Sequence, residues 1–282
     1  MISDSSGENQ PFDDLESTKN SRPNGSFQHR RYGLSWITGI PVANLSEAET
    51  VTAIDDLILE GGTHYAAVVN AAKVVAANHN EALRRVLVQA DIVTADGMSV
   101  VWASRVLGQG LKQRVTGIDL FECLVDHAAA TGLSVYFLGA RDESVRGTVE
   151  LLAKRHPSLR VAGYRNGYFA QSESTAVAEA IKRSGADLLF VGMGSPKQEF
   201  WIASNLARTG VRFAMGVGGS FDHVSGLMAR APLLMQRLGL EWLYRLTHER
   251  RLWRRYLIGN PAFIWLIVRQ FFRYENGSSK SE

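Results

Sequence analysis

Three polar side chains that could do chemistry stand close behind short apolar runs of the chain. Asn70 and Asp96 follow two such runs directly, and Ser195 follows a third run after a Gly-x-Gly turn. Short apolar runs bounded by glycine or polar residues predict buried strands. A carboxylate at the end of a strand can act as a general base, and a glycine turn before a helix brings backbone N–H groups close to an anion. The pattern predicts a site that combines proton transfer with binding of a negatively charged group.

The most complete of these patterns is the stretch 186–204, where a strand, a glycine turn and an amphipathic helix follow one another. Pro196 falls in the first turn of that helix, a position that proline favours. Unpaired N–H groups at the start of the helix would point toward a ligand at the carboxyl end of the sheet. For an isolated Gly-x-Gly, a purely structural turn is the alternative interpretation. The polar residues after the turn favour a ligand site, and its candidate residues are Gly192, Gly194, Ser195, Lys197, Gln198 and Glu199.

Asn70 and Asp96 each have a structural alternative, because both residue types cap helices. Taken alone, Asn70 is interpreted as the cap of the helix that follows it, and Asp96 as the cap of a helix predicted at 98–107. The functional interpretation makes Asp96 a general base at the edge of the sheet. The residues alone leave both alternatives open.

The elements that would position these side chains are strands alternating with helices of about 10–15 residues. This alternation predicts the α/β fold class, with a mainly parallel, three-layer, Rossmann-like sheet. A helix is expected up to about Leu59, and another is expected to begin near Thr116 or Asp119. The strand order does not follow from the sequence. Strands are expected at 34–42, 64–70, 134–140, 159–164, 187–191 and 211–217, and a further strand is expected to begin near Asp91 and to end at Asp96.

The predicted organisation has four parts: a disordered tail at 1–30, an α/β catalytic domain at 31–229, a C-terminal helical appendage at 230–273, and a second disordered tail at 274–282. The formal net charge of +3 conceals a strongly basic appendage. Nine arginines and two glutamates give the range 230–273 a net charge of +7, so the rest of the chain carries −4. Such a segment indicates a phosphate-rich partner: a nucleic acid, a diphosphate or an anionic membrane surface. The alternative is a solvated basic face around ordinary packing residues.

Other features limit the function classes. The single cysteine, Cys123, excludes an intramolecular disulfide, and the seven histidines show no metal-ligand spacing, so neither a metal nor a cofactor is predicted. No secretory signal is recognised, and no apolar run of about 18 residues predicts a spanning helix. The stretch 260–272 is nevertheless too apolar for a free surface helix. We therefore expect it to lie in a membrane interface or against a partner.

Several ordered stretches resemble the motifs of one protein family, the WecG/TagA/CpsF glycosyltransferases. They are ADGMSVVWASRVLG at 95–108, RVTGIDL at 114–120, FVGMGSPKQEFW at 190–201 and GVGGSFDHVSGLMARAPLLMQRLGLEWLYRL at 216–246. FLGA at 137–140 and NGYF at 166–169 also fall where the family has such motifs. The resemblance covers roughly residues 34–258.

This resemblance implies an enzyme of bacterial surface-polysaccharide synthesis. Such an enzyme moves a sugar from a UDP-sugar to a saccharide on a polyprenyl diphosphate, with inversion at the anomeric carbon. N-acetylmannosamine, its uronic acid and glucose are the donor sugars that the resemblance allows. The partners would be this donor, the lipid-linked acceptor and the membrane surface, with no nucleic acid and with a possible homo-oligomer.

The resemblance also assigns roles to residues of this sequence. Asp96 would be the base, Gln198 and Arg114 would hold the sugar and the acceptor, and Asn70 is retained from the family's site. A basic cluster in the appendage would bind the diphosphate in place of a metal: Arg245, Arg251, Arg254 and Arg255. The implied nucleotide-sugar-binding residues are Gly139, Ala140, Tyr168, Gly192, Gly194, Ser195, Lys197, Gln198 and Glu199.

Two positions depart from the family pattern. Val68 replaces the usual threonine two residues before Asn70, and the sequence at 249–251 is Glu-Arg-Arg where the family has Glu-Pro-Arg. The family's appendage is linked to membrane docking and to completion of the active site. The resemblance thus implies a cytoplasmic enzyme bound peripherally to the inner face of the plasma membrane.

Two other classes share some of these features. A dinucleotide-binding oxidoreductase also has glycine turns after strands, but the sequence lacks a G-x-G-x-x-G with an acidic partner about 20 residues further on. A nucleic-acid-binding protein would use the arginine-rich segment and leave Asp96 and Gln198 without a role. A non-catalytic nucleotide-sugar-binding protein of the same fold is the third alternative.

Overall fold

The computed structural model describes residues 32–229, 231–232, 235, 244 and 252–278, with side chains described from 259 to 273 in the last of these ranges. The predicted tail at 1–30 and most of the stretch 230–251, including Arg245 and Arg251, lie outside the described residues. Within them the chain forms an α/β domain followed by one long helix.

The first element is a β-hairpin, so the prediction of one strand at 34–42 is wrong. Strands β1 (Leu34–Ile37) and β2 (Ile40–Ala43) pair antiparallel. The turn between them places Thr38 at φ 50° and Gly39 at φ 82°. Two successive residues of positive φ match the right-handed twist of a tight hairpin. Threonine rarely adopts such a conformation, which is why the sequence pattern does not reveal the turn.

The central sheet has six strands, all parallel, in the order β4-β3-β8-β7-β5-β6. Apolar side chains cover both of its faces in two separate buried clusters, which confirms the predicted three-layer Rossmann-like class. The strands are β3 (His64–Val69), β4 (Ile92–Ala95), β5 (Ser134–Gly139), β6 (Arg160–Arg165), β7 (Leu188–Gly192) and β8 (Phe213–Gly216).

Helices occupy both faces of the sheet, and four of the described helices begin at a residue whose side chain caps them: Ser46, Asn70, Asn80 and Thr116. Ser46 forms a complete capping box with Glu49, and Thr116 accepts a hydrogen bond from the backbone of Asp119, as expected. The helices are α1 (Glu47–Glu60), α2 (Ala71–His79), α3 (Glu81–Gln89), α4 (Met98–Val106), α5 (Gly117–Thr131), α6 (Asp142–Arg155), α7 (Ser174–Ser184), α8 (Lys197–Thr209), α9 (Ser220–Val224) and α10 (Leu252–Ser278).

Helix α10 packs one side against the α/β domain itself. Phe263 and Ile267 join the buried cluster that contains α2. The side chain of Gln270 makes two hydrogen bonds to the hairpin. Its Oε1 accepts from the backbone N of Thr38 at 2.7 Å, and its Nε2 donates to the carbonyl of Trp36 at 2.7 Å. Part of the apolar surface expected to face a membrane or a partner is therefore covered by the chain's own fold.

The other side of α10 is exposed and apolar. Its exposed large residues are Ile264, Trp265, Val268 and Phe272. Among the described residues, no helix combines the length and the hydropathy needed to cross a membrane.

Candidate active site

The carboxyl ends of the parallel strands gather most of the predicted site residues along one edge of the sheet. Asn70 follows β3, Asp96 follows β4, and Ala140 follows β5. The turn from β7 into α8 carries Gly194 and Ser195. In open α/β sheets this edge is where ligands bind.

Asn70 and Asp96 lie side by side at the β3–β4 end of the edge. The backbone N of Asp96 donates to the carbonyl of Val69 at 2.9 Å, which aligns the two strand ends. A Cβ added to Gly97 would lie 3.6 Å from the Cβ of Asn70, so no side chain separates the two turns.

The helix-cap interpretation holds for Asn70 but not for Asp96. Asn70 does cap α2, because its Oδ1 accepts from the backbone N of Lys73 at 3.0 Å. Asp96 is not the cap of α4: Gly97 holds that position and makes no side-chain hydrogen bond there. The cap interpretation of Asp96 is therefore wrong, and its carboxylate has another role.

The carboxylate of Asp96 faces the start of α5. Its Oδ1 accepts from the backbone N of Gly117, the first residue of that helix, at 3.2 Å. Among the described residues, no hydrogen bond to its Oδ2 is present, and the residue is partly exposed. A partly exposed carboxylate oxygen at a ligand-binding edge can accept a proton from a bound hydroxyl group.

Arg114 belongs to the loop that brings Gly117 to Asp96. The loop is fixed beside β4 by a backbone hydrogen bond from Val115 N to the carbonyl of Ala95 at 2.9 Å. Arg114 is the residue before Val115 and is partly exposed. The structure therefore brings Arg114 to the same end of the edge as Asp96 and Asn70.

The β5–β7 end of the edge is built from backbone in close contact. The N of Ala140 donates to the carbonyl of Gly192 at 2.8 Å, and the N of Gly167 donates to the carbonyl of Ala140 at 3.0 Å. A Cβ added to Gly139 would lie 2.4 Å from the carbonyl carbon of Gly192, and Gly139 has φ 138°. Only glycine fits there, so the ends of β5 and β7 pack backbone against backbone.

Cationic side chains surround this backbone surface. The Nζ of Lys197 donates to the carbonyl of Gly167 at 3.3 Å and lies 5.6 Å from the ring centroid of Phe169. The guanidinium carbon of Arg165 lies 5.4 Å from the same centroid. Tyr168, in the same loop, is largely exposed. Two cations over one aromatic ring make this end of the edge suitable for an anionic ligand with a planar group.

Gln198 and Glu199 are placed differently from the other predicted ligand-binding residues, because both side chains are buried. The Oε1 of Gln198 accepts from the backbone N of Gly218 at 3.0 Å, and its Nε2 donates to Oε1 of Glu199 at 3.1 Å. That oxygen of Glu199 also forms an ion pair with Nζ of Lys73 at 2.6 Å. The predicted contacts of Gln198 and Glu199 with a donor sugar stay predictions.

Lys73 lies next to the candidate site, and the sequence pattern does not single it out. It lies in the first turn of α2, and it is 93% buried although its ammonium group is charged. A lysine among alanines and valines at 71–75 is the signal that could have found it, because buried lysines are almost always paired.

The predicted diphosphate-binding arginines are not described in enough detail to place them. Arg245 and Arg251 lie outside the described residues, and Arg254 and Arg255 belong to the part of α10 whose side chains are not described. Their role stays a prediction.

Cys123 contributes no reactive thiolate. Burial raises the pKa of its thiol to about 12, and the neighbouring Glu47 carboxylate adds to the rise. The thiol is therefore protonated at neutral pH. Within the described part of the chain, no three His, Cys, Asp or Glu side chains are grouped so as to hold a metal ion.

The protein is an α/β protein with a parallel sheet, and its ligand site lies at the carboxyl edge of that sheet. One end of the edge carries a carboxylate, and the other carries close-packed glycine turns. The sequence model described as the glycosyl transferase WecG/TagA/CpsF family matches residues 35–277. The chain belongs to this family. Membership confirms the resemblance and makes the protein a glycosyltransferase rather than an oxidoreductase.

Two relatives from Bacillus are similar over most of the chain. The one from Bacillus spizizenii is 35% identical over 204 residues, which cover 72% of this chain and 77% of the relative. The one from Bacillus subtilis (strain 168) is 34% identical over 185 residues, which cover 66% of this chain and 71% of the relative. Both relatives are named N-acetylglucosaminyldiphosphoundecaprenol N-acetyl-beta-D-mannosaminyltransferase.

Proposed function

We propose that this protein transfers N-acetylmannosamine from a UDP-sugar to N-acetylglucosamine carried on a polyprenyl diphosphate. The names of the two relatives support the sugar and the acceptor. The observation that carries the proposal is the carboxylate of Asp96, which stands at the carboxyl edge of the sheet, does not cap the helix α4 that follows it, and uses only Oδ1 to accept from Gly117 at the start of α5.

Asp96 is the general base of the proposed reaction. It takes the proton from the acceptor hydroxyl group while the hydroxyl oxygen attacks C1 of the donor sugar. The new C1–O bond forms on the face opposite the departing UDP, so the bond from C1 to the phosphate oxygen breaks with inversion. A carboxylate assists the attack when proton transfer and C–O bond formation occur together.

The β5–β7 end of the edge is the proposed UDP site. Gly194 leaves open space in the turn before α8, since nothing lies within 4 Å of a Cβ added there, and Lys197 supplies positive charge next to Phe169. Arg114 is proposed to orient the acceptor. Gln198 is buried and is proposed to act on the sugar site indirectly, through the turn at Gly218 whose backbone N donates to its Oε1 at 3.0 Å. The predicted basic cluster of Arg245, Arg251, Arg254 and Arg255 would stabilise the departing diphosphate by bidentate hydrogen bonds.

We also propose that α10 docks the enzyme on the anionic inner surface of the cytoplasmic membrane. Its exposed face combines Trp265 and Phe272 with Arg269 and Arg273, the combination that favours the headgroup region of a bilayer. The guanidinium carbon of Arg269 lies 5.3 Å from the ring centroid of Trp265, so charge and apolar surface are adjacent. Homo-oligomerisation and the absence of a nucleic-acid partner remain predictions.

The activity is tested with a panel of donors and one acceptor. UDP-N-acetylmannosamine, UDP-N-acetylmannosaminuronic acid and UDP-glucose are offered in EDTA with a short polyprenyl-diphosphate-linked N-acetylglucosamine. We expect transfer from UDP-N-acetylmannosamine and release of UDP. Transfer from another member of the panel would correct the donor, and absence of UDP binding would overturn the proposal.

The docking proposal is tested by vesicle binding. Replacing Trp265 by Ser should weaken binding to vesicles that contain anionic lipid by about tenfold, since a large side chain loses its burial in the interface. Trp102→Ser is the matched control, because Trp102 is similarly exposed but lies on α4. Equal binding of the two variants would contradict docking through α10.

A further inference from the structure

Helices α2 and α8 meet through a buried chain of polar contacts just beneath the proposed site. The chain runs from Nζ of Lys73 to Oε1 of Glu199 at 2.6 Å, from there to Nε2 of Gln198 at 3.1 Å, and from Oε1 of Gln198 to the backbone N of Gly218 at 3.0 Å. All three side chains are more than nine-tenths buried. Substrate therefore cannot reach Lys73 or Glu199 in this conformation.

Both ends of this series of polar contacts lie at the proposed site. The backbone N of Lys73 is held by Asn70, which stands next to Asp96. Gly218 lies in the turn that follows β8, between β3 and β7 in the sheet. The contacts thus connect the half of the edge that carries the carboxylate with the half that carries the glycine turns.

The polar contacts on either side of Gln198 allow its side-chain amide only one orientation. A glutamine amide can rotate by half a turn and exchange its donor and acceptor. Here Glu199 accepts from its nitrogen and Gly218 donates to its oxygen, so rotation would set like groups against each other on both sides. A Cβ added to Gly216 would lie 2.5 Å from Nε2 of Gln198, so the missing side chain at Gly216 makes room for the amide.

We propose that the buried pair of Lys73 and Glu199 is a positioning pair for the transfer reaction. Lys73 neutralises and orients the carboxylate of Glu199, and that carboxylate fixes the amide of Gln198 and, through it, the turn at Gly218. This role rests on the proposed glycosyl transfer. Neither residue touches the substrate, and both act by holding the two halves of the site in register.

Two double variants test the pair without leaving a buried charge alone. Lys73→Met with Glu199→Gln removes both charges but keeps a carbonyl oxygen that can accept from Gln198. Lys73→Met with Glu199→Met removes that acceptor as well. Apolar replacement of a whole buried ion pair is usually tolerated by the fold, and circular dichroism with thermal unfolding verifies this for both proteins.

We expect the Met/Met variant to show a kcat about tenfold to a hundredfold lower than the Met/Gln variant, with the same dissociation constant for UDP. A pair that only stabilises the fold would change the melting temperature but leave kcat equal in the two variants. Arg155→Met with Glu122→Gln is the control, because that pair is exposed at 3.5 Å and lies at the end of α6. Its kcat should equal that of wild type.

Equal kcat in the two double variants, at any level, would overturn the positioning role while wild-type transfer still supports the proposed function. Absence of transfer by wild type with every donor would overturn the proposed function, and the positioning role with it.

Discussion

The two ends of the carboxyl edge differ in what they offer a ligand. At the β3–β4 end, side chains face the edge: Asp96 accepts from the start of α5, and Asn70 caps α2 beside it. At the β5–β7 end, backbone packs against backbone where Gly139 touches Gly192, and the charged side chains lie around this contact. The first end can exchange a proton, and the second offers the cations Lys197 and Arg165 beside Phe169 to an anion.

This division explains why the residues of the Pro-Lys-Gln-Glu stretch point in different directions. Lys197 lies at the rim with its ammonium near Phe169, where it can meet an anion. Gln198 and Glu199 turn inward and join the two ends of the edge through Lys73. A single run of four residues thus serves binding on one side and alignment on the other.

The largest loss of stability is expected when the buried ion pair between the two ends of the edge is broken. Lys73→Met leaves the carboxylate of Glu199 buried without its cation, which should lower the free energy of unfolding by about 4 kcal/mol. Denaturant unfolding measures the loss. Arg155→Met removes the cation of an exposed pair and should cost less than about 1 kcal/mol. Equal losses for the two variants would show that the buried contact is unimportant.

The backbone end is tested by adding one carbon atom. Gly139→Ala sets a methyl group against the backbone of Gly192 at a positive φ, and we expect a loss of about 3 kcal/mol together with weaker UDP binding. Gly132→Ala is the control, because Gly132 has φ 76° but nothing within 4 Å of the added carbon. It should lose only about 1 kcal/mol and keep UDP affinity. Unchanged UDP affinity in Gly139→Ala would remove this end from the binding site.

The side-chain end is tested by two helix caps of equal strength. Asn70→Ala and Ser46→Ala each remove a capping hydrogen bond, and each should cost about 1 kcal/mol of stability. Only Asn70 adjoins Asp96, so only Asn70→Ala should also lower the transfer rate. If the two variants keep the same rate, Asn70 is a cap and nothing more.

Local patterns predict much of this architecture. Apolar runs predict all six sheet strands to within a few residues, and the turns at Gly192–Gly194 and Gly218 are set by local backbone requirements that glycine reveals. The side-by-side placement of Asn70 and Asp96 also follows, once the strands are parallel and adjacent. Strand order depends on which surfaces pack together, and no local pattern records it.

The features that the sequence does not predict depend on tertiary contacts between distant parts of the chain. Lys73 and Glu199 are 126 residues apart in sequence, so neither residue's surroundings reveal the ion pair. The same holds for Gln270, which is 232 residues from its partner Thr38 in the hairpin. Burial of Gln198 was equally hidden, because a glutamine in the first turn of a helix is usually exposed.

The central claim is that Asp96 accepts the proton of the acceptor hydroxyl. Asp96→Asn keeps an oxygen for the N–H of Gly117 but removes the basic carboxylate, while Asp126→Asn changes an exposed aspartate on α5 as a control. With UDP-N-acetylmannosamine and the lipid-linked acceptor, Asp96→Asn should lower kcat by about a hundredfold or more at unchanged UDP affinity. A wild-type kcat in Asp96→Asn would contradict the claim.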